Sequence, residues 1–143
     1  MKKLTLLLLL MFVVSGTVYS GEKEYTFKSC KGVTDINSCD KCKVVGKISF
    51  KISKYQDSVL KNMTVLDTGQ KGSVVEENCK IFDDETFECK KKIDGNLSGM
   101  KTETTFRLML SNGKWIDTFN VNTPSDTSLY SPEHLSSCGE EIN

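Results

Sequence analysis

The sequence predicts an all-β fold, a small antiparallel β-sandwich or partly closed barrel stapled by disulfides. Three observations carry that expectation. Gly46 to Tyr55 alternates apolar and polar residues with a period of two. Asn112-Gly113 stands between two further alternating runs, the strongest short hairpin signal a sequence can carry. Six cysteines occur in only 143 residues, a density typical of small exported domains that hold a modest core together with covalent links. No segment reads as a helix of about 10–15 residues between strands, which disfavours parallel βαβ units.

The chain opens on a segment outside the fold. Lys2 and Lys3 precede the apolar run Leu4 to Val14, and small polar residues follow as far as Ser20. That is the layout of a secretory signal peptide, and the run falls short of the about 20 apolar residues a membrane-spanning helix needs. Residues 1–20 are therefore expected to be removed, with Val18 and Ser20 at the −3 and −1 positions of the cut. Of the 19 basic and 19 acidic residues, removal takes two lysines and no acid, so the net charge falls from zero to near −2. A slightly acidic domain with no basic field gives no reason to expect nucleic acid or a membrane surface as partner. The expected location is secreted, or periplasmic in a Gram-negative source, with residues 21–138 as one domain, 139–143 as a free tail and the chain a monomer.

All six cysteines, Cys30, Cys39, Cys42, Cys79, Cys89 and Cys138, survive the cut. Six cysteines allow 15 pairings, and local geometry argues for one. Ser73 to Phe82 and Phe87 to Ile93 read as two strands around the acidic turn Asp83-Asp84-Glu85-Thr86. If Ile81 faces Phe87, Cys79 faces Cys89 at disulfide range. Cys39-Asp40-Lys41-Cys42 has CxxC spacing. A redox pair needs a helix start behind its first cysteine, whereas Lys43 to Tyr55 reads as strand. A zinc site needs two more ligands, and no second CxxC or His pair follows. A structural role is expected, most simply Cys39–Cys42 with Cys30–Cys138. The rival joins Cys30 to Cys39 or to Cys42 and leaves the other for Cys138.

Along the domain, Ile48, Phe50 and Ile52 share one face of the first strand, and Asn62 to Leu66 is a shorter strand candidate. In the hairpin centred on Asn112-Gly113, Ser111 pairs with Lys114, Leu110 with Trp115, Leu108 with Asp117 and Phe106 with Phe119. Asp117 then falls on the apolar face. It is expected at a sheet edge or on a bulge that turns it to solvent; the alternative is a pocket carboxylate with a raised pKa. Beyond Asn122 the chain is acidic and rich in Ser, Thr and Pro. Ser131 to Leu135 suggests a short helical turn, and the rest an ordered loop anchored by Cys138.

No catalytic, cofactor or metal set is evident. His134 is the only histidine, and there is no GxSxG, paired His-Glu, phosphate-binding glycine loop or EF-hand spacing. The acidic turn at 83–85 reads as a solvated hairpin tip. Lys90-Lys91-Lys92 reads as cross-strand partners for Glu76 and Glu77 and as guards of a sheet edge. Asn62-Met63-Thr64 and Asn96-Leu97-Ser98 fit the N-glycosylation pattern, and Asn96, after the expected turn Asp94-Gly95, is the better candidate. The function expected is a secreted, non-catalytic binding or interaction protein, a modulator or inhibitor of an extracellular protein partner. The alternative is a carrier of a small apolar ligand such as a lipid.

Phe27-Lys28-Ser29-Cys30 near the mature start, the close Cys39/Cys42 pair and the mid-chain Cys79/Cys89 pair resemble the lead-in of the secreted MD-2-related lipid-recognition family. The resemblance covers mainly cysteine spacing and implies the carrier role. It departs at the final hairpin, where that family usually carries its last cysteine; Trp115 to Val121 has none, and Cys138 lies well beyond.

Overall fold

The computed structural model describes residues 22–97, 100–122 and 135–143. The expected signal peptide, the turn beginning at Ser131 and His134 lie outside the described residues. Nine antiparallel strands form one nearly closed barrel: β1 (Glu24–Lys31), β2 (Lys43–Ser53), β3 (Ser58–Val65), β4 (Lys71–Glu76), β5 (Cys79–Ile81), β6 (Phe87–Leu97), β7 (Met100–Ser111), β8 (Lys114–Asn122) and β9 (Leu135–Glu140). Their order in the sheet is β4-β3-β2-β1-β9-β8-β7-β6-β5. Of the two expected architectures, the barrel is the one formed. Among the described residues, no helix is long and apolar enough to cross a membrane.

Alternation decides what faces inward. Ile48 and Phe50 on β2, Tyr25 on β1, Val59 on β3, Phe87 on β6, Leu108 and Leu110 on β7 and Trp115 on β8 form one buried cluster. Phe50 stacks edge-on against Tyr25, Phe87 and Trp115 at centroid distances of 5.5, 5.6 and 5.7 Å. Phe87 lies five strands along the sheet from Phe50, so these contacts require the sheet to curl on itself. Edge-to-face ring pairs add about 0.5–1.5 kcal/mol each to the burial of their area.

The Asn112-Gly113 hairpin has the register read from sequence, from Ser111↔Lys114 to Phe106↔Phe119. Asn112 and Gly113 have φ of 53° and 71°, the left-handed pair that a type I′ turn requires. Cys79 lies opposite Cys89 and Ile81 opposite Phe87, and the two cysteines are bonded with a Cα separation of 4.0 Å.

The expected strand Ser73 to Phe82 is two strands. β4 pairs with β3 and β5 with β6, and the break falls at Glu77-Asn78, where Asn78 takes a positive φ of 58°. The chain thereby crosses from one end of the nine-strand order to the other, which brings the barrel close to closure. Glu76 and Glu77 consequently lie on β3's side, away from Lys90 to Lys92. Lys90 instead reaches Glu88 at 3.3 Å and Lys92 reaches Glu103 at 3.1 Å. Asp94-Gly95 is interior to β6, paired with Glu103 and Thr102, and is not a turn.

The C-terminal residues are the largest departure from expectation. They form β9, inserted between β1 and β8. Residues 139–143 are not a free tail. Gly139 pairs with Trp115 and Glu140 with Lys114, the Glu141 N–H donates to the Gly113 carbonyl at 2.7 Å, and the Ile142 N–H donates to the Glu24 carbonyl at 2.9 Å. The unpaired edges of β1 and β8 supply the reason: each offers a row of backbone donors and acceptors that a passing segment satisfies whatever its side chains. Glycine at 139 is required by close approach, since a Cβ there would lie 1.8 Å from the Thr26 carbonyl oxygen. That oxygen accepts the Trp115 indole N–H at 2.8 Å.

A second, smaller core lies on the outer face of the barrel. Cys30, Cys39, Ile116 and Cys138 are buried there, with Val33, Ile36, Cys42 and Met109 packed against them. A 3-10 turn, Ile36–Lys41, covers them; the Asp35 side chain accepts from the Asn37 N–H at its start. The simplest pairing expected, Cys39–Cys42 with Cys30–Cys138, does not occur. The bonds are Cys30–Cys42 and Cys39–Cys138, one form of the rival pattern. The β1–β2 register explains it: Ser29 pairs with Lys43, so the next positions outward, Cys30 and Cys42, stand side by side, and the 3-10 turn folds Cys39 over β9.

Cys39–Cys138 spans 99 residues and Cys79–Cys89 spans 10. On the chain-entropy argument, Cys39→Ser with Cys138→Ser should cost about 4–5 kcal/mol and Cys79→Ser with Cys89→Ser about 3 kcal/mol. Urea unfolding of the two double variants measures both; an equal or reversed order would show that loop length does not govern the loss.

Candidate functional site

The barrel interior is not wholly apolar. On β3 the inward positions run Val59, Lys61, Met63, and Lys61 is buried at 7% exposure. On β8 they run Trp115, Asp117, Phe119. Lys61 Nζ donates to Asp117 Oδ2 at 2.6 Å and to Glu76 Oε1, at the end of β4, at 3.0 Å. The ion pair crosses the lumen between strands four apart in the sheet order. Asp117 therefore sits at neither a sheet edge nor a bulge: it is mid-strand, opposite Leu108 on one side and Ser137 on the other.

Burial pushes the Asp117 carboxyl above its ordinary pKa, against the opposing pull of Lys61 and with a further upward push from the Glu76 charge. For Lys61, burial acts to lower the pKa, but the Asp117 charge, its hydrogen bond and those from Glu76 outweigh it and raise the pKa overall. Two carboxylates thus share one ammonium in a low-dielectric setting. The ammonium is held firmly by the two charges. Lys61, Glu76 and Asp117 thus form a charge layer inside the barrel.

The outer surface at the barrel's closing seam is different in character. β4 is a terminal strand of the sheet, paired with β3 alone. Beside it an open groove of about 820 Å³ is lined by residues that include Gln56, Asp57, Val75, Glu77, Asn78 and Lys80. The Cys79 N–H donates to the Asp57 carbonyl at 2.7 Å, tying β5 to the turn after β2. Of the groove's lining, Val75 is 57% exposed; Tyr55, fully exposed, and Phe82, 56% exposed, are the chain neighbours of the lining residues Gln56 and Ile81. Lys80 Nζ lies 5.0 Å over the Phe82 ring, and Lys54 bonds Asp84 at 2.7 Å across the two turns. The Asp84 carboxylate and the turn that carries it thus serve as an ion-pair partner.

The two glycosylation candidates differ in setting. Asn62 is in the middle of β3, paired with Ser49 and Ser73, and its Oδ1 accepts from Ser73 Oγ at 2.7 Å. Asn96 is in β6 opposite Lys101, and Ser98 of its triplet lies outside the described residues. Sequence reading missed Lys61 as a site residue. The available signal was a pair of opposite charges, Lys61 and Asp117, each interrupting an apolar face.

No family model, curated protein or solved structure matches this chain.

Replacing Lys61 with Met removes the only described cation of the triad and leaves two half-buried carboxylates facing each other. Lys61→Met should cost about 3–5 kcal/mol at pH 7. Without Lys61 the downward pull on Asp117 is lost, so its folded-state pKa lies further above the unfolded value in the variant than in the parent; the stability that protonation adds is full below the unfolded pKa and vanishes as pH rises through the folded value. The penalty of the variant should therefore shrink on going from pH 7 to pH 4. Denaturant melts at both pH values read this, and a penalty that stays constant or grows at pH 4 would contradict it.

Proposed function

We propose that the chain works after export as a non-catalytic binding protein, and that the seam beside β4 is its binding surface. The observation that carries this reading is an open groove at a strand edge, lined by the exposed Val75 and flanked in the chain by the exposed Tyr55 and Phe82. Aromatic side chains standing clear of a soluble surface supply the anchors of most interaction hot spots, and clustered exposed apolar groups on a monomer mark interaction sites. The free edge of β4 adds backbone donors and acceptors, so an extended segment of an extracellular protein partner suits the seam. Three disulfides suit an oxidising compartment outside the cytosol, which agrees with the leader read at residues 1–20.

The carrier of a small apolar ligand is the weaker reading. Ligand pockets for lipids are enclosed and lined mainly by apolar groups. Here the lumen is filled at one end by the Phe50–Trp115–Phe87 cluster and crossed by the Lys61–Asp117 pair.

Selection from a displayed library of random peptides on the immobilised mature chain tests the proposal. Enriched peptides should bind at least about tenfold more weakly to the Tyr55→Ala, Val75→Ser, Phe82→Ala triple variant, a loss of about 1.4 kcal/mol or more, while its melting temperature stays within a few degrees. Binding unaffected by the triple variant would overturn the seam assignment. Stoichiometric lipid in native mass spectra of the secreted protein, with no peptide enriched, would favour the carrier.

A further inference from the structure

We propose that Cys30, Cys39, Cys42 and Cys138 form a two-state site: two disulfides when oxidised, and a four-thiolate site for one zinc ion when reduced. The proposal stands apart from the binding role of the seam. Its basis is the way the fold gathers these residues. The Sγ atoms of all four lie within 4.8 Å of one another, and Cys30 Sγ is 3.5 Å from Cys138 Sγ although each is bonded elsewhere. A zinc ion with Zn–S bonds of about 2.3 Å sets its four sulfurs at the corners of a tetrahedron with edges of about 3.8 Å. The unbonded sulfurs thus already stand near the spacing zinc imposes. Each bonded pair has to open from about 2.0 Å, a movement of about 1 Å per sulfur that side-chain rotation supplies.

The backbone is arranged as structural zinc sites are. Cys39 and Cys42 sit at CxxC spacing on a tight turn in which the Cys42 N–H donates to the Cys39 carbonyl at 3.2 Å. The second pair of ligands, which the sequence alone does not display, comes from the neighbouring strands β1 and β9, where Cys30 lies opposite Ser136 and Cys138 opposite Lys28. Ile116, Val33, Ile36 and Met109 pack around the sulfurs, and Cys138 is fully buried. Four sulfur ligands in this largely apolar setting favour a soft metal ion over calcium or magnesium, which take oxygen ligands. The third disulfide, Cys79–Cys89, belongs to the other core and takes no part.

The chemistry balances with a dithiol as reductant. Each protein disulfide accepts two electrons and two protons from a dithiol, which leaves as its own cyclic disulfide. Zinc then displaces the thiol protons as the four thiolates bind it. In either state β9 and the 3-10 turn are fastened to β1, so the outer core keeps its anchor when the disulfides are lost.

The test uses the mature chain reduced with dithiothreitol, freed of reductant without air and supplied with zinc sulfate. Native mass spectra should show one zinc ion per chain. Cobalt(II) in its place should give the intense near-ultraviolet thiolate band and the visible bands of tetrahedral coordination. The Cys79→Ser, Cys89→Ser variant should give the same spectrum, and Cys39→Ser with Cys42→Ser should bind zinc at least about tenfold more weakly. If the reduced chain is unfolded without metal, zinc should restore its β-sheet circular dichroism. Absence of bound zinc, a cobalt spectrum without thiolate bands, no recovery of structure, or undiminished binding by the Cys39/Cys42 variant would each overturn the proposal.

Discussion

Everything in this barrel depends on where its last strand goes. Without β9 the chain is two meanders, β1 to β4 and β5 to β8, each with an open edge. β9 pairs with β1 on one side and β8 on the other, and so turns two four-stranded sheets into one. Three unlike interactions hold it there. Backbone ladders satisfy both edges, the Cys39–Cys138 bond fixes its centre from outside, and the Trp115–Thr26 hydrogen bond passes over Gly139 from inside. The strand itself, Leu-Ser-Ser-Cys-Gly-Glu, has little intrinsic β preference. Its conformation is imposed by its neighbours.

The second organising feature is the charge layer in the lumen. A barrel of this size has room for side chains from opposite walls to meet, and Lys61, Glu76 and Asp117 do so. Relative to apolar groups of the same shape, a buried ion pair often adds little stability, because desolvation offsets the attraction. Its effect is on alternatives. A register slip of one residue in β3 or β8 would turn the lysine or the aspartate outward and strand its partner in the interior. The triad therefore favours one alignment of the two meanders around β9. It also divides the lumen, with the aromatic cluster on one side and the half-buried rings Phe106 and Phe119, 4.9 Å apart, on the other.

Legibility in the sequence followed the range of the determining interaction. The β7–β8 register was readable because Asn112-Gly113 sets it locally. Cys79 opposite Cys89 was readable because only a short turn separates them. The Ser73–Phe82 strand was read as one because no Gly or Pro interrupts it; the break at Glu77-Asn78 is made by two different partner strands, β3 and β6, that the segment itself does not encode. β9 was missed because one of its two partner strands lies more than 100 positions away at Lys28 to Lys31 and because Pro124 and Pro132 made the whole tail look irregular. The Cys30–Cys42 bond followed from a β1–β2 pairing that begins at Glu24, in a stretch where sequence reading had noticed the cysteine and not the strand. Asp117 was placed correctly on the apolar face and given the wrong surroundings, since its partner Lys61 sits on a strand whose first residues were not recognised.

Amide hydrogen exchange along β9 tests its role as the closing strand most directly. If β9 joins the two meanders into one cooperative unit, the peptide covering 135–140 exchanges only through global unfolding, with the same opening free energy as peptides from β2 and β8 under native conditions. Exchange of 135–140 about a hundredfold faster than β8, an opening free energy lower by about 2.7 kcal/mol, would mean that β9 detaches while the rest of the barrel stays folded, and would contradict its part as the strand on which the barrel depends.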